Sequence, residues 1–583
     1  MKKLHTIIVL LLVFLFANAQ NPGFEWAKGL ISDGGVTPWA IAVDHEGNII
    51  STGYFSGTCD FNPGNEIYNL ESKGHDDIFI QKLNPSGEFI WAKRIGNEYT
   101  DRCNDVAVDA DGNIFITGTF ALLSDFDTGS SANNPDGKYD VYIAKYSPDG
   151  DFMWVAATEQ LNQEYLWASN DGLSIDIDTN GDVVATGSFQ GLVDFNPGNA
   201  IFTMESWGVD CFVLKLSNSG EFIWSKMIGS YGEVEGQTIK TDAANNIYIS
   251  GGFDEYATDF DPGSGETILE PEEDYFFTGF LLKLNSNGDF KWAVKPGGGA
   301  DNQNYELKRP IAIDNDGNVL LSYMISQFAP ADLDPSTVEN IFNATGGDDI
   351  FIQKLDSLGN LIWAKQLGGE DNDLIRDVLV DKKNSIYLTG KFYNEMDFDP
   401  DEETHIVSRG WSIGDIPFIL KLNKEGQFQW VYTIGNPNEE WSTGTNLDLA
   451  LDANNNVICS GYMYESSFDF NENGESSVIQ GNNDFSGFIY KLNQSGGTGN
   501  KSIRQILSNV YPSPVENELY INLGDEFEKA SISIYSATGI LRLKKSSCTY
   551  TNQIIDVSYL EKGIYFIEIS SDHMHETQKI IKR

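Results

Sequence analysis

An aromatic-x-Trp step recurs along most of this 583-residue chain, and it constrains the fold more than any other feature. It reads FEW at Trp26, FIW at Trp91, FMW at Trp154, FIW at Trp224, FKW at Trp292, LIW at Trp363 and FQW at Trp430, with spacings of 65, 63, 70, 68, 71 and 67 residues. A second pattern runs in phase, Asp109-Ala-Asp-Gly-Asn-Ile-Phe-Ile-Thr-Gly-Thr-Phe120, with relatives starting at Asp44, Asp178, Asp242, Asp314, Asp381 and Asp452. A third, Ile78-Phe-Ile-Gln-Lys-Leu-Asn-Pro-Ser-Gly87, recurs near Tyr142, Phe212, Phe280, Phe351, Phe418 and Phe488. A period of this length marks one supersecondary unit stacked on copies of itself.

Each unit reads as four short strands, A to D. Apolar residues alternate with polar ones, and the connecting turns hold the Gly and Asn that tolerate positive φ. Radially repeated four-stranded units are propeller blades. The fold class expected is therefore all-β: a seven-bladed β-propeller over residues 20–497, then a small immunoglobulin-like β-sandwich. Trp26 belongs to an orphan strand D at the start, and the last unit, Phe488-Ile-Tyr-Lys-Leu-Asn493, stops after strand C. The N-terminal strand can thus complete the seventh blade, closing the ring and removing two exposed sheet edges. The seven tryptophans read as blade core, filling space between neighbours. The Gly of the Thr-Gly or Ser-Gly pairs (Gly53, Gly118, Gly187, Gly251, Gly390, Gly461) reads as allowing close approach of backbone or of a neighbouring tryptophan. The fifth unit departs with Ser322-Tyr323. The repeat resembles the bacterial β-propeller repeats of large exported proteins, over roughly residues 22–497. That resemblance implies architecture and carries no activity.

The ends of the chain speak to export. Lys2 and Lys3 precede an apolar run from Ile7 to Phe16, and Ala17-Asn18-Ala19 supplies a small-x-small cleavage pattern. Residues 1–19 read as a signal peptide cut between Ala19 and Gln20; the run is too short for a bilayer span. After a linker over 498–507 comes Tyr511-Pro512-Ser513-Pro514, then short strands, Leu560-x-x-Gly563-x-Tyr565 and a terminal Lys579-x-x-Lys582. Residues 508–583 look like the type A sorting domain of the type IX secretion system, with Ser513 where Asn is usual. The resemblance implies the type IX machinery as a partner and a destination at the cell surface or in the medium, by way of the periplasm. A carbohydrate-binding or adhesion sandwich shares the strand pattern.

Charge narrows the partners. Of the formal net charge of -48, residues 1–19 contribute +2 and residues 500–583 nothing, so residues 20–499 carry -50. Phosphates would be repelled, which excludes nucleic acid and anionic lipid as expected partners. Cations or a basic partner suit it.

The B–C loops carry the most chemical-looking motif: DFNPG at Asp60 and Asp194, DFDTG at Asp125, DFDPG at Asp259, DLDPS at Asp332, DFDPD at Asp397 and DFNEN at Asp469. Alternating oxygen ligands with a carboxylate twelve residues from the first is how calcium loops enclose a hard cation. On that reading the ligands are Asp60, Asn62 and Glu71; Asp125 and Asp127; Asp194, Asn196 and Glu205; Asp259, Asp261 and Glu270; and Asp397 and Asp399. The structural alternative is a turn capped by Asp or Asn, with the phenylalanine as anchor. The Asp-x-Asp-Gly-Asn at the A–B turns (Asp109, Asp111; Asp314, Asp316) fits a hairpin better. Cys59 and Cys103 fall on one rim of adjacent units, leaving a disulfide or two free thiols open. No CxxC, GxSxG, HExxH or P-loop occurs, and His45, His75 and His405 share no register. The chain therefore reads as a non-enzymatic binding or adhesion module whose surface ligand is a glycan or protein. A secreted hydrolase acting on glycans is the rival reading.

Overall fold

The computed structural model describes residues 21–494 and 508–583, apart from loop segments, chiefly 128–134, 163–169, 273–276, 301–308, 326–329, 337–339, 409–413, 436–442, 472–475, 512–514, 524–529, 537–540, 549–551 and 571–574. The proposed signal peptide with Ala19 and Gln20, most of the linker, and Pro512 and Pro514 lie outside the described residues. Two compact units divide the chain, Met1–Gly497 and Thr498–Arg583. Both are all-β, and the described residues hold no helix. No described helix is long and apolar enough to cross a membrane.

The first unit holds seven four-stranded antiparallel meanders among the described residues. Sheet 1 comprises strands A to D at Val36–Val43, Ile49–Phe55, Asp77–Leu83 and Phe89–Ile95. Sheet 2 runs Arg102–Val108, Ile114–Ala121, Lys138–Tyr146 and Phe152–Ala157. Sheet 3 has Asp171–Ile177, Val183–Asp194, Thr203–Leu216 and Phe222–Ile228. Sheet 4 has Val234–Thr241, Ile247–Phe253, Phe277–Leu284 and Phe290–Val294. Sheet 5 has Ile311–Ile313, Val319–Ile325, Asp349–Leu355 and Leu361–Gly369. Sheet 6 has Leu374–Val380, Ile386–Tyr393, Asp415–Leu422 and Phe428–Thr433. Sheet 7 takes Thr443–Leu451, Val457–Tyr464 and Phe485–Asn493 from the end of the unit. Its fourth strand is Gly23–Ser32, paired antiparallel with Phe485–Asn493 so that Gly29 faces Phe488. Strand A of each sheet lies against strand A of the next, and that of sheet 7 against that of sheet 1.

Strand B glycines explain the local shape. In six sheets strand A bulges opposite that glycine, for example between Cys103 and Asp105. A Cβ on Gly118 would drive into Arg102 O, and one on Gly390 into Leu374 O. The crowding neighbour is thus backbone, and the tryptophan alternative is not what these glycines serve. Sheet 5 has Tyr323 in place of the glycine; its strand A is short, and the Tyr323 hydroxyl donates to Pro296 O at 2.7 Å.

The second unit pairs Ser508–Tyr511, Glu518–Leu523 and Asn552–Asp556 in one sheet. Leu541–Cys548, Ala530–Ser536, Gly563–Ser570 and His575–Lys582 form the other. Leu519, Ile521 and Ile555 of the first sheet share a core with Ile532, Ile534, Ile567 and Ile580 of the second. The C-terminal lysine motif is part of a paired strand, with Lys579 opposite Phe566. Tyr565 is buried and donates to Glu561 O at 3.0 Å, while Gly563 is exposed.

Candidate functional site

The B–C motif builds a hairpin closed by its own side chains. Asp60 Oδ1 accepts the N–H groups of Asn62 at 3.0 Å and Tyr68 at 2.9 Å, and Asn62 Oδ1 accepts that of Gly64 at 2.9 Å. Asp194 with Asn196, Asp259 with Asp261, and Asp397 with Asp399 repeat these bonds. Glu71 and Glu205 stand on the return strand, opposite Thr58 and Leu192, two residues before the motif aspartate. Glu270 follows Leu269, which faces Thr258 in the equivalent hairpin. The three are exposed, so each hairpin gathers its first two oxygens in one turn and carries its twelfth residue on or beside the returning strand. Among the described residues no group of three or more His, Cys, Asp or Glu side chains is placed to hold a metal ion.

The intervening aromatic anchors the hairpin, as the turn reading expects. Phe61, Phe126, Phe195, Phe260, Phe398 and Phe470 are fully buried and pack on a strand C ring; Phe61 lies 4.9 Å from Phe79 and Phe260 4.8 Å from Phe280. Burying such a ring contributes about 1.5–3 kcal/mol. The motif aspartate also joins the hairpin to the preceding sheet. Ile31 pairs with Asp60, Gly96 with Asp125, Glu159 with Asp194, Gly229 with Asp259, Gly368 with Asp397 and Gly435 with Asp469. Each hairpin thereby extends its neighbour's outer strand and covers that edge.

Tryptophan and lysine complete the junctions at the opposite end of the sheets. Trp91 and Lys82 of sheet 1 both donate to Pro148 O in the C–D turn of sheet 2, at 3.3 and 3.0 Å. Trp154 bonds Asn218 O at 3.1 Å, Trp224 bonds Ser286 O at 3.3 Å, and Trp292 bonds Ser357 O at 3.1 Å. At the seam, Trp26 and Lys491 both donate to Pro85 O, at 3.4 and 3.2 Å. The indoles rest on the positive-φ glycine of that turn: a Cβ on Gly150 would lie 3.1 Å from Trp91, and one on Gly426 3.1 Å from Trp363. Trp430 is fully buried; Trp26, Trp91, Trp154, Trp224, Trp292 and Trp363 are half-buried. All seven tryptophans also pack with the hydrophobic cores of the first unit, so the same indoles meet a core and lie at a junction. The lysine is the partner that reading by motif passed over. Lys82 pairs with Asp44 at 3.0 Å, Lys215 with Asp178 at 2.7 Å, Lys354 with Asp314 at 2.7 Å and Lys491 with Asp452 at 3.1 Å, all buried. Burial pushes Asp44 up, but hydrogen bonds from Asn48 and Lys82 outweigh it and hold the carboxyl below its ordinary value.

Cys59 and Cys103 are free, buried, and packed in separate cores, Cys59 with Phe61 and Cys103 with Phe120, so the disulfide does not form. Burial raises both thiols, that of Cys103 to about 11.

Charged side chains line the inner strands. Asp105 Oδ2 accepts the Ile175 N–H at 2.9 Å, Asp377 Oδ2 that of Leu449 at 3.1 Å, and Asp448 Oδ2 that of Ile41 at 2.8 Å. Burial would lower Lys240, but Asp176, Asp105, Asp377 and Asp448 around it outweigh that and raise it. Glu235 is raised by burial despite its hydrogen bond with Gln237.

Because the strands alternate in direction, the B–C and D–A segments open on one face. The exposed Phe and Tyr side chains among the described residues of the first unit lie in those segments or at strand ends beside them, including Tyr99, Tyr139, Tyr256 and Phe485, and the exposed Trp207 lies in the first part of the long strand C of sheet 3. Trp207 and Tyr231 are the most exposed, at 75% and 82%. Their chain segments touch, with Val209 bridged to Glu233.

Comparison with known proteins agrees with this organisation. Residues 509–583 match the Secretion system C-terminal sorting domain, and residues 90–119 match the Beta-propeller repeat. An uncharacterized WD repeat-containing protein of Acanthamoeba polyphaga mimivirus is 23% identical over 528 residues, covering 77% of this chain and 37% of its own length. The regulatory protein FlaEY of Caulobacter vibrioides is 27% identical over 163 residues, covering 28% of this chain and 16% of its own. The chain thus spans well under half the length of these curated relatives. Among solved structures, an apocarotenoid oxygenase of Synechocystis has a TM-score of 0.34 at 10% identity, covering 81% of this chain and 97% of that one. A gluconolactonase of Xanthomonas campestris has a TM-score of 0.24 at 9% identity, covering 67% and 95%. The chain thus has a propeller fold with a β-propeller repeat at residues 90–119 and a sorting domain at residues 509–583. That domain directs secretion by the type IX system to the cell surface or medium.

Proposed function

We propose that the seven sheets are the blades of one closed ring, latched by the N-terminal strand, and that residues 508–583 form an immunoglobulin-like sandwich. The shared bonding of Trp26 and Lys491 to Pro85 O supports closure, since it repeats the bonding of Trp91 and Lys82 to Pro148 O. The ring then acts as a non-enzymatic binding or adhesion module, delivered outside the cell by its C-terminal domain. One observation carries this reading: the exposed aromatics of the first unit gather on the face of the long loops. Such residues offer large contact area at small entropic cost, and loops on a rigid frame are where binding concentrates. The ligand class is a surface glycan or a protein.

A glycan array and a surface-protein pull-down with the full chain test it. Binding that falls at least tenfold in Trp207→Ala and Tyr231→Ala is expected; full binding by both variants would contradict it. Calcium is proposed as a stabiliser of the B–C hairpins, read from melting curves with and without EGTA; no shift would count against it. The second reading, a secreted glycan hydrolase, is favoured by the raised Glu235 carboxyl among the inner-strand charges. Turnover in a hydrolase screen that Glu235→Gln abolishes would select it.

A further inference from the structure

Where neighbouring sheets meet on the long-loop face, a residue at the start of strand C stands beside the residue just before the next strand A. Between sheets 2 and 3 these are Asp140 and Asn170. The Asn170 Nδ2 donates to Asp140 Oδ1 at 3.2 Å, and its Oδ1 accepts the Gln190 N–H at 3.1 Å. Both halves of the amide are used. At two other junctions the asparagine is an aspartate: Asp101 between sheets 1 and 2, whose N–H donates to Asp76 O at 2.8 Å and so sets it beside Asp77, and Asp373 between sheets 5 and 6, whose N–H donates to Asp348 O at 2.7 Å and so sets it beside Asp349. Registers match, for Asp77 faces Phe55, Asp140 faces Phe120 and Asp349 faces Ile325 across strand B.

Asp101 keeps the acceptor half of the asparagine. Its Oδ1 takes the Ala121 N–H at 2.9 Å and the Ser124 hydroxyl at 2.6 Å, while its Oδ2 takes the Asn97 N–H at 3.0 Å. Asp373 Oδ2 likewise takes the Gly369 N–H at 2.8 Å. The donor half is missing. All four carboxyls are fully buried, yet among the described residues Asp77 Oδ1 and Asp349 Oδ1, the atoms matching the one Asn170 serves in Asp140, have no hydrogen-bond partner. At the first junction the two oxygens flank one point: a Cβ on Gly96 would lie 2.8 Å from Asp77 Oδ1 and 2.9 Å from Asp101 Oδ2. An orphaned buried acceptor is costly, and a second ionised carboxylate beside it more so.

We propose that each junction carries one shared proton, held by Asp101 toward Asp77 and by Asp373 toward Asp349, so that a carboxylic acid does there what the Asn170 amide does between sheets 2 and 3. The two sites differ in charge. Arg94 donates to Asp77 Oδ2 at 2.8 Å, whereas its counterpart Gln366 donates to Asp349 Oδ2 at 2.6 Å without a charge. Thr345 also caps Asp349, and Asp371 adds a further negative charge near Asp373; the Asp76–Arg102 pair at 2.7 Å lies beside Asp101. Burial raises Asp101 to about 6, with hydrogen bonds from Ser124, Ala121 and Asn97 opposing and Asp77 adding to the rise. Burial raises Asp373 to about 8, with Asp349 and Asp371 adding to it.

Both carboxyls have folded values above the ordinary 3.8. Their support for the fold is complete below 3.8 and is lost as pH rises through about 6 at the first junction and about 8 at the second. The first and fifth sheets therefore hold their neighbours more firmly in acid than in base.

The test uses the full chain and the variants Asp101→Asn and Asp373→Asn, which install the residue found at Asn170. Urea midpoints are read from pH 4 to pH 9, with infrared spectra at pH 7. Asp373→Asn is expected to raise the midpoint above wild type at pH 8, lose that advantage near pH 4, and remove a protonated-carboxyl carbonyl band present in wild type. Equal midpoints at pH 8 together with no such band in wild type would overturn the proposal. A midpoint raised by calcium in wild type but not in Asp373→Asn would also overturn it, assigning the pair to a metal. Should either variant fail to fold, the infrared band of the wild-type chain decides.

Discussion

Replacing Lys82 by methionine tests the junction lysines most sharply. Its ammonium lies 3.0 Å from Asp44 and 3.0 Å from Pro148 O, and the two charged side chains are 5% and 2% exposed. Removing the cation leaves Asp44 buried and still bonded to the N–H groups of Glu46 and Asn48, but without its counter-charge. Breaking such a pair costs about 3–5 kcal/mol, because the remaining charge stays buried. An exposed pair would cost about 0–1 kcal/mol. Urea denaturation followed by tryptophan fluorescence reads the loss, with Trp91, the cross-strand neighbour of Lys82, as a local reporter. Adding Asp44→Asn should recover part of it, since no charge is then stranded. Asp44 is held below the ordinary 3.8, so its contribution is present above that value and lost as pH falls through the folded one. Lys82→Met should flatten that acid limb. A cost below about 1 kcal/mol, the surface-pair value, would refute the reasoning.

Three further outcomes are expected. Gly118→Ala should prevent soluble folding, because its Cβ meets Arg102 O, whereas Gly317→Ala, at φ +79 with nothing among the described residues within 4 Å, should cost only about 1 kcal/mol; expression and melting curves compare them. Trp91→Phe should lose about 0.5–1.5 kcal/mol, the worth of the bond to Pro148 O, while keeping an aromatic ring on Gly150. Deleting residues 508–583 should abolish delivery to the surface or medium, read by fractionating cells; unchanged delivery would contradict the role of the matched sorting domain.

Much of the fold is legible in the sequence because the repeat encodes it several times over. The period-two strands, their turns and the orphan N-terminal strand each point to the same meander, and Gly23–Ser32 does pair with Phe485–Asn493. What escaped reading depends on neighbours distant in sequence. Lys82 stands in the repeat as plainly as Trp91, but only the approach of the next sheet's turn reveals that both grip Pro148 O. The glycines of strand B were ambiguous for the same reason, since the partner that crowds them is a bulged backbone. In the B–C motif, aspartate at alternate positions suits a cation and a self-capped turn alike. The bonds from Asp60 to Asn62 and Tyr68 become visible only once the hairpin is folded. The place of Glu71 opposite Thr58 is likewise visible only once the hairpin is paired. The paired carboxyls at Asp77 and Asp101 stood in the sequence without a partner to make them unusual.

Hydrogen exchange on the full chain, resolved by residue, tests the proposed closed ring most directly. The amides of Gly23–Ser32 should exchange as slowly as those of the strand D segments Phe89–Ile95 and Phe222–Ile228, and deleting residues 21–32 should expose the amides of Phe485–Asn493. Exchange of residues 23–32 at the rate of an unstructured tail, with Phe485–Asn493 unchanged by their removal, would contradict it.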